Sequence, residues 1–216
     1  MRKRRARALA LTVLVGLAGC QSVESPNRPA PYEFRASPTD PIFHFPSSQL
    51  PVRFWAETTG ALQEFVELGV QMWATQFLYG EFWGALVADS LQADVIVRMP
   101  GPPPPDAPLT DDPPVQTCIG VTQIPNFVDD GSGQLRFEAR IDIEMRWFSG
   151  EPSDIANCLA RVTAHEIGHA MGIFNHSSDQ NDLMAIPVTA RRPTARDAST
   201  IQTLYHIQTD ILPFQP

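Results

Sequence analysis

Residues 165–176 read HEIGHAMGIFNH, and this run limits the possible folds more than any other part of the chain. His165 and His169 are four residues apart, so on a helix they project from one face, about 6 Å apart along the axis. The helix leading to them starts near Pro152-Ser153-Asp154, with Ser153 or Asp154 expected as the cap. Ile155, Leu159 and Val162 then recur at helical spacing. Gly172 follows three residues after His169, where a helix can stop in the left-handed conformation that glycine tolerates, and the chain can then turn to bring His176 back.

Two imidazoles so placed can share one tetrahedral zinc, with His176 as the expected third ligand. Glu166, beside the first histidine, sits next to such a metal without having to bind it. A carboxylate there can take a proton from a water activated by the ion and pass it to a leaving amine.

The pattern resembles that of the metzincin zinc proteases, HExxHxxGxxH, whose glycine turn supplies a third histidine. Here the tenth position after His165 is Asn175, a poor neutral ligand for zinc, and the histidine lies one residue further on. The stretch after His176, SSDQNDLM, is similar to the matrixin segment leading to the Met-turn, so the extra residue lies between Gly172 and His176. The resemblance makes Met184, with Ala185-Ile186-Pro187, the Met-turn beneath the metal and the start of a pocket wall. Ile186 stands where astacins and serralysins carry a tyrosine ligand, so the likeness is closer to matrixins. The implied fold is a metzincin-like α/β (α+β) catalytic domain, with a twisted mixed sheet and an antiparallel edge strand over the HExxH active-site helix. The implied activity is endopeptidase cleavage of a peptide or protein substrate. The alternative is a catalytically inactive, lipid-anchored metal- or peptide-binding envelope protein with the same fold.

Upstream, Val52, Phe54 and Ala56 alternate as a strand, Leu62 to Phe77 follow a helical pattern, and Ala93–Met99 reads as a second strand. This β-α-β order predicts parallel pairing. Residues 100–114 hold eight prolines and three aspartates and are expected as an exposed loop. Residues 118–125 form a short strand ending in Pro125, as suits an edge. By analogy with the family, Gly120, Val121 and Thr122 on that strand receive an extended substrate. Leu135 to Trp147 alternates as one half-buried antiparallel strand, preceded by Asp129-Asp130-Gly131-Ser132-Gly133, a turn that also raises Ca2+ as a candidate second ion. A last helix starts at Thr194, with Asp197 as its capping partner. His44 and His206 fall outside any ligand spacing and read as packing or surface residues.

At the amino end, Arg2, Lys3, Arg4, Arg5 and Arg7 precede the apolar run Ala8–Ala18, the layout of a signal peptide over residues 1–19. Leu17-Ala18-Gly19-Cys20 resembles a bacterial lipobox, which implies a lipid on Cys20, membrane anchoring in the cell envelope, and the outer membrane if there are two. Residues 20–45 are expected as anchor and flexible tether, with four prolines between 21 and 40 and a reach on the order of 60 Å. The domain proper is expected over 46–216, as a monomer. Removing residues 1–19 leaves eleven cations against twenty-four anions, a net charge of −13. That argues against nucleic acid as a partner. With Cys20 lipidated, Cys118 and Cys158 remain as a pair, and export permits a disulfide between them.

Overall fold

The computed structural model describes residues 28–215. Residues 1–19, expected as a signal peptide, and Cys20, expected to carry a lipid, lie outside the described residues. In chain order the main elements are β1 (Val52–Ala56), α1 (Leu62–Ala74), β2 (Gly84–Leu86), β3 (Val95–Arg98), β4 (Cys118–Gln123), β5 (Phe127–Asp129), β6 (Leu135–Phe137), β7 (Ile141–Trp147), α2 (Pro152–Ala170), α3 (Ala195–Tyr205) and β8 (Ile211–Leu212).

Five strands form a mixed sheet in the order β2-β1-β3-β7-β4. β1 and β3 pair in parallel, as the β-α-β order predicts, and β3 pairs in parallel with β7. β4 is the last strand, antiparallel to β7, with Gly120 opposite Met145 and Thr122 opposite Ile143. Val52, Phe54, Val95, Val97, Ile141, Ile143 and Met145 are buried in the core, against α1 and α2. The two helices pack closely where Gly69 of α1 meets α2. A Cβ on Gly69 would lie 2.7 Å from Cδ1 of Ile167 and 3.2 Å from Cα of Ala164. Trp73 of α1 donates its indole N–H to the Ala164 carbonyl at 2.7 Å, so a buried polar edge is satisfied inside the interface.

Several expectations need correction. The single strand over Leu135–Trp147 is broken at Glu138–Arg140: β6 joins a separate three-stranded sheet with β5 and β8, and only β7 enters the main one. The Glu138 N–H turns to the Asn126 carbonyl, which takes the chain out of the alternating ladder. β7 is antiparallel to β4 alone, being parallel to β3. α2 begins two to three residues earlier than expected, since its cap precedes both Ser153 and Asp154. Glu151 is its cap, without a side-chain bond, and Pro152 fills the first turn, where its missing N–H costs nothing. The largest difference is at the amino end. Residues 28–45, read as part of a flexible tether, are laid on the domain, with Phe34, Phe43 and Phe45 all buried. Their aromatic rings enter the core from a proline-interrupted segment that forms no helix or strand, so it has burial without periodicity.

The proline-rich segment 100–114 holds no helix or strand. Cys118 and Cys158 are bonded, tying β4 to α2. α3 starts with the anticipated capping box, Thr194 and Asp197 exchanging side chain and backbone.

Candidate metal centre

α2 carries His165, Glu166 and His169 and is buried along most of its length. Gly168 gives it close contact with the segment below: a Cβ there would lie 2.5 Å from Met184 Sδ and 2.7 Å from Trp73. The helix stops where the sequence places its stop. Gly172 has φ +112°, its N–H bonds the His169 carbonyl, and the Ile173 N–H bonds the Gly168 carbonyl.

The chain then returns His176 to the helix. The Nε2 atoms of His165 and His169 are 3.1 Å apart, and those of His169 and His176 are also 3.1 Å apart. Two imidazole nitrogens on one tetrahedral zinc, at about 2.0–2.1 Å each, stand roughly 3.3 Å from one another, so the spacing fits. Tautomers sharpen the fit. His165 Nδ1–H donates to the Leu183 carbonyl at 2.8 Å and His169 Nδ1–H to the Ile173 carbonyl at 2.5 Å. Both protons are thereby fixed on Nδ1, so two Nε2 lone pairs face each other with no hydrogen between them, an arrangement that a cation resolves.

Burial keeps these rings neutral and ready to ligate. It lowers His165 to about 4 and His169 to about 3, and it lowers His176 as well. Asn175 is not in the cluster, because its side-chain oxygen accepts the His176 N–H at 2.9 Å. The one-residue shift therefore leaves histidine, not asparagine, at the centre. Among the described residues, His165, His169 and His176 form the only group of three that could hold a metal. The Asp129–Gly133 loop, raised for Ca2+, is a closed turn: Asp129 Oδ1 accepts the N–H groups of Gly131 and Gly133, and Asp130 Oδ1 accepts from Ser132.

Glu166 lies under β4 and is only 5% exposed. Burial pushes its carboxyl up to about 7, against the lowering effect of the Thr122 hydroxyl, which donates to Oε2 at 2.6 Å. The inward face of β4 is spent on α2: Cys118 bonds Cys158, while Gly120 and Thr122 both meet Glu166. Sequence reading singled out Gly120, Val121 and Thr122 for their backbone alone. The period-2 alternation of β4 was the signal for this side-chain role. Val121, between them, points outward and is 52% exposed.

Met184 is fully buried, and its turn is locked from below. The Leu183 and Met184 N–H groups donate to the Asp197 carboxylate at 2.8 and 3.4 Å, and Ser177 N–H bonds the Met184 carbonyl. Asp197 thus caps α3 and holds the turn at once, a role that one capping motif in sequence does not reveal. Beside Glu166 a cavity of about 280 Å³ is walled by Cys118, Cys158, Val162, Ile186, Pro187 and Val188. His44 Nε2–H donates to the Ile207 carbonyl, and His206 faces Glu81, so neither joins the centre.

A helix-borne pair of histidines, a third histidine from the following loop and a buried carboxylate under a sheet edge define the class of site found in zinc metalloproteases. The Matrixin family model matches residues 122–206, a stretch that contains α2, all three histidines and Met184, and it supports a matrixin-like metalloprotease domain. No curated protein matches the chain.

Proposed function

We propose that this chain is a zinc-dependent endopeptidase, with His165, His169 and His176 holding the metal and Glu166 serving as general base and then general acid. The observation that carries the reading is the meeting of three Nε2 atoms beside a buried carboxylate. A zinc ion held there supplies Lewis-acid polarisation of the scissile carbonyl and makes a water acidic enough to attack near neutral pH. Glu166 accepts the proton from the attacking water and delivers it to the departing amine. Thr122 holds the carboxylate through Oε2, leaving the other oxygen to face the reacting water.

The substrate lies extended and antiparallel along Gly120–Thr122, because β4 ends the main sheet and its outer N–H and C=O groups are open to a peptide. The apolar cavity beside Glu166 takes the side chain that follows the cleaved bond. The protease works as a monomer in the cell envelope, tethered by lipid on Cys20, and at the outer membrane where there are two. This part of the reading rests on the sequence of residues 1–20.

Zinc content and cleavage of a general peptide library, measured on wild type and Glu166→Ala, test the proposal. The expected result is zinc in both proteins and cleavage by wild type alone. Equal cleavage by both, or no cleavage by a zinc-loaded wild type, sinks it.

A further inference from the structure

The residues just before His176 are fastened by a part of the chain far away in sequence. Phe174 N–H and Asn175 N–H both donate to the Phe34 carbonyl, at 2.6 and 3.1 Å. The Phe43 ring lies parallel to that of Phe174, centroids 6.2 Å apart. The Phe43 carbonyl fills the space beside Gly172, where a Cβ would lie 2.0 Å from its oxygen. The same segment is pinned at α3, with Tyr32 O–H donating to Asp197 at 2.8 Å and Arg28 bonding Ser199. Phe34 and Phe43 are both buried.

Within the loop itself little else restrains His176. Ile173 bonds back to α2 and Ser177 forward to Met184, but the backbone N–H groups of Phe174 and Asn175 go to Phe34. His176 is exposed and, among the described residues, its own N–H bonds only the neighbouring Asn175 side chain. This is also the stretch that carries one residue more than the HExxHxxGxxH spacing, and a longer loop has more conformations to lose when it delivers a ligand.

We infer that the strap formed by residues 28–45 is the positioning element for the third metal ligand, with the Phe34 carbonyl as its clamp. The inference rests on the reading of His165, His169 and His176 as zinc ligands. It makes metal affinity depend on residues outside the segment that matches the Matrixin family model. It also joins the strap to the membrane anchor, since only residues 21–27 separate Cys20 from Arg28.

Zinc affinity by chelator competition and the visible spectrum of the Co2+-loaded protein, on the full mature chain, provide the test. Phe34→Ala removes the buried ring that seats the clamp. It is expected to weaken zinc about 10-fold or more and to change the Co2+ band, with Phe34→Leu restoring both. Val66→Ala, a core truncation in α1, serves as the control for general loosening and is expected to lower stability while leaving zinc affinity within about twofold. If Phe34→Ala does not fold, Phe34→Val probes the same point with a smaller loss. Zinc affinity unchanged in Phe34→Ala (or in Phe34→Val where Phe34→Ala does not fold), or weakened as much by Val66→Ala, overturns the inference alone. A wild type that binds no zinc overturns the metal-centre reading beneath it.

Discussion

A Cβ built on Gly120 would lie 2.4 Å from Cγ of Glu166, closer than any side chain can approach. The edge strand and the carboxylate therefore share one space, and only glycine leaves room for both. Gly120→Ala is expected to push the carboxylate or the strand aside. Peptide cleavage should fall at least 100-fold, since a displacement of about 1 Å in a reacting group costs that much, while zinc content stays at the wild-type level. Activity within threefold of wild type would show that the contact does not constrain Glu166.

Burial at about 7 makes Glu166 a pH-dependent load on the metal-free fold. Its ordinary value is 4.5, so between 4.5 and 7 the folded chain keeps a proton that the unfolded chain releases. The raised pKa therefore gives stability that is present below 4.5 and is lost as pH rises through 7. Glu166→Gln has no charge to bury. In EDTA, its stability advantage over wild type is expected to be no more than about 1 kcal/mol at about pH 5 and to reach roughly 3 kcal/mol at about pH 8. The depressed histidines act in the opposite sense, losing stability as pH falls below their unfolded values, but they are common to both proteins and cancel in the difference. Denaturant titration at the two pH values measures it, and a difference that does not vary with pH would contradict the burial argument.

The bond between Cys118 and Cys158 closes a loop with a sequence separation of 40 and joins the strand and the helix that frame Glu166. Replacing both with serine is expected to lower unfolding free energy by about 4 kcal/mol on chain-entropy grounds. It also removes one wall of the cavity beside Glu166, so cleavage should lose selectivity for the residue after the scissile bond. A profile over that residue, measured below the variant's unfolding temperature, checks the second part. An unchanged profile would mean that the disulfide serves stability only.

What the sequence made legible was whatever repeats with a helical or strand period or sits at a fixed offset from a breaker. His165, Glu166 and His169 were placed by helical spacing, Gly172 by its position after them, and the cap of α3 by Thr194 and Asp197. The strap was not legible, because its work is done by a main-chain carbonyl at Phe34 and by rings separated by prolines, which leave no periodic trace. The break between β6 and β7 was hidden for the converse reason. Alternation runs unbroken through Ala139, yet the backbone of Glu138 bonds elsewhere. The second task of Asp197, holding the turn at Met184, depends on tertiary contact and has no local signature.

The central claim is that His176, one residue later than the family spacing, completes a three-histidine zinc site. X-ray absorption at the zinc edge, on zinc-loaded wild type and His176→Ala, counts the imidazoles directly. Three imidazole nitrogens at about 2.0–2.1 Å in wild type and two in the variant are the expected result. Two in wild type, or the same number in both proteins, would contradict the claim.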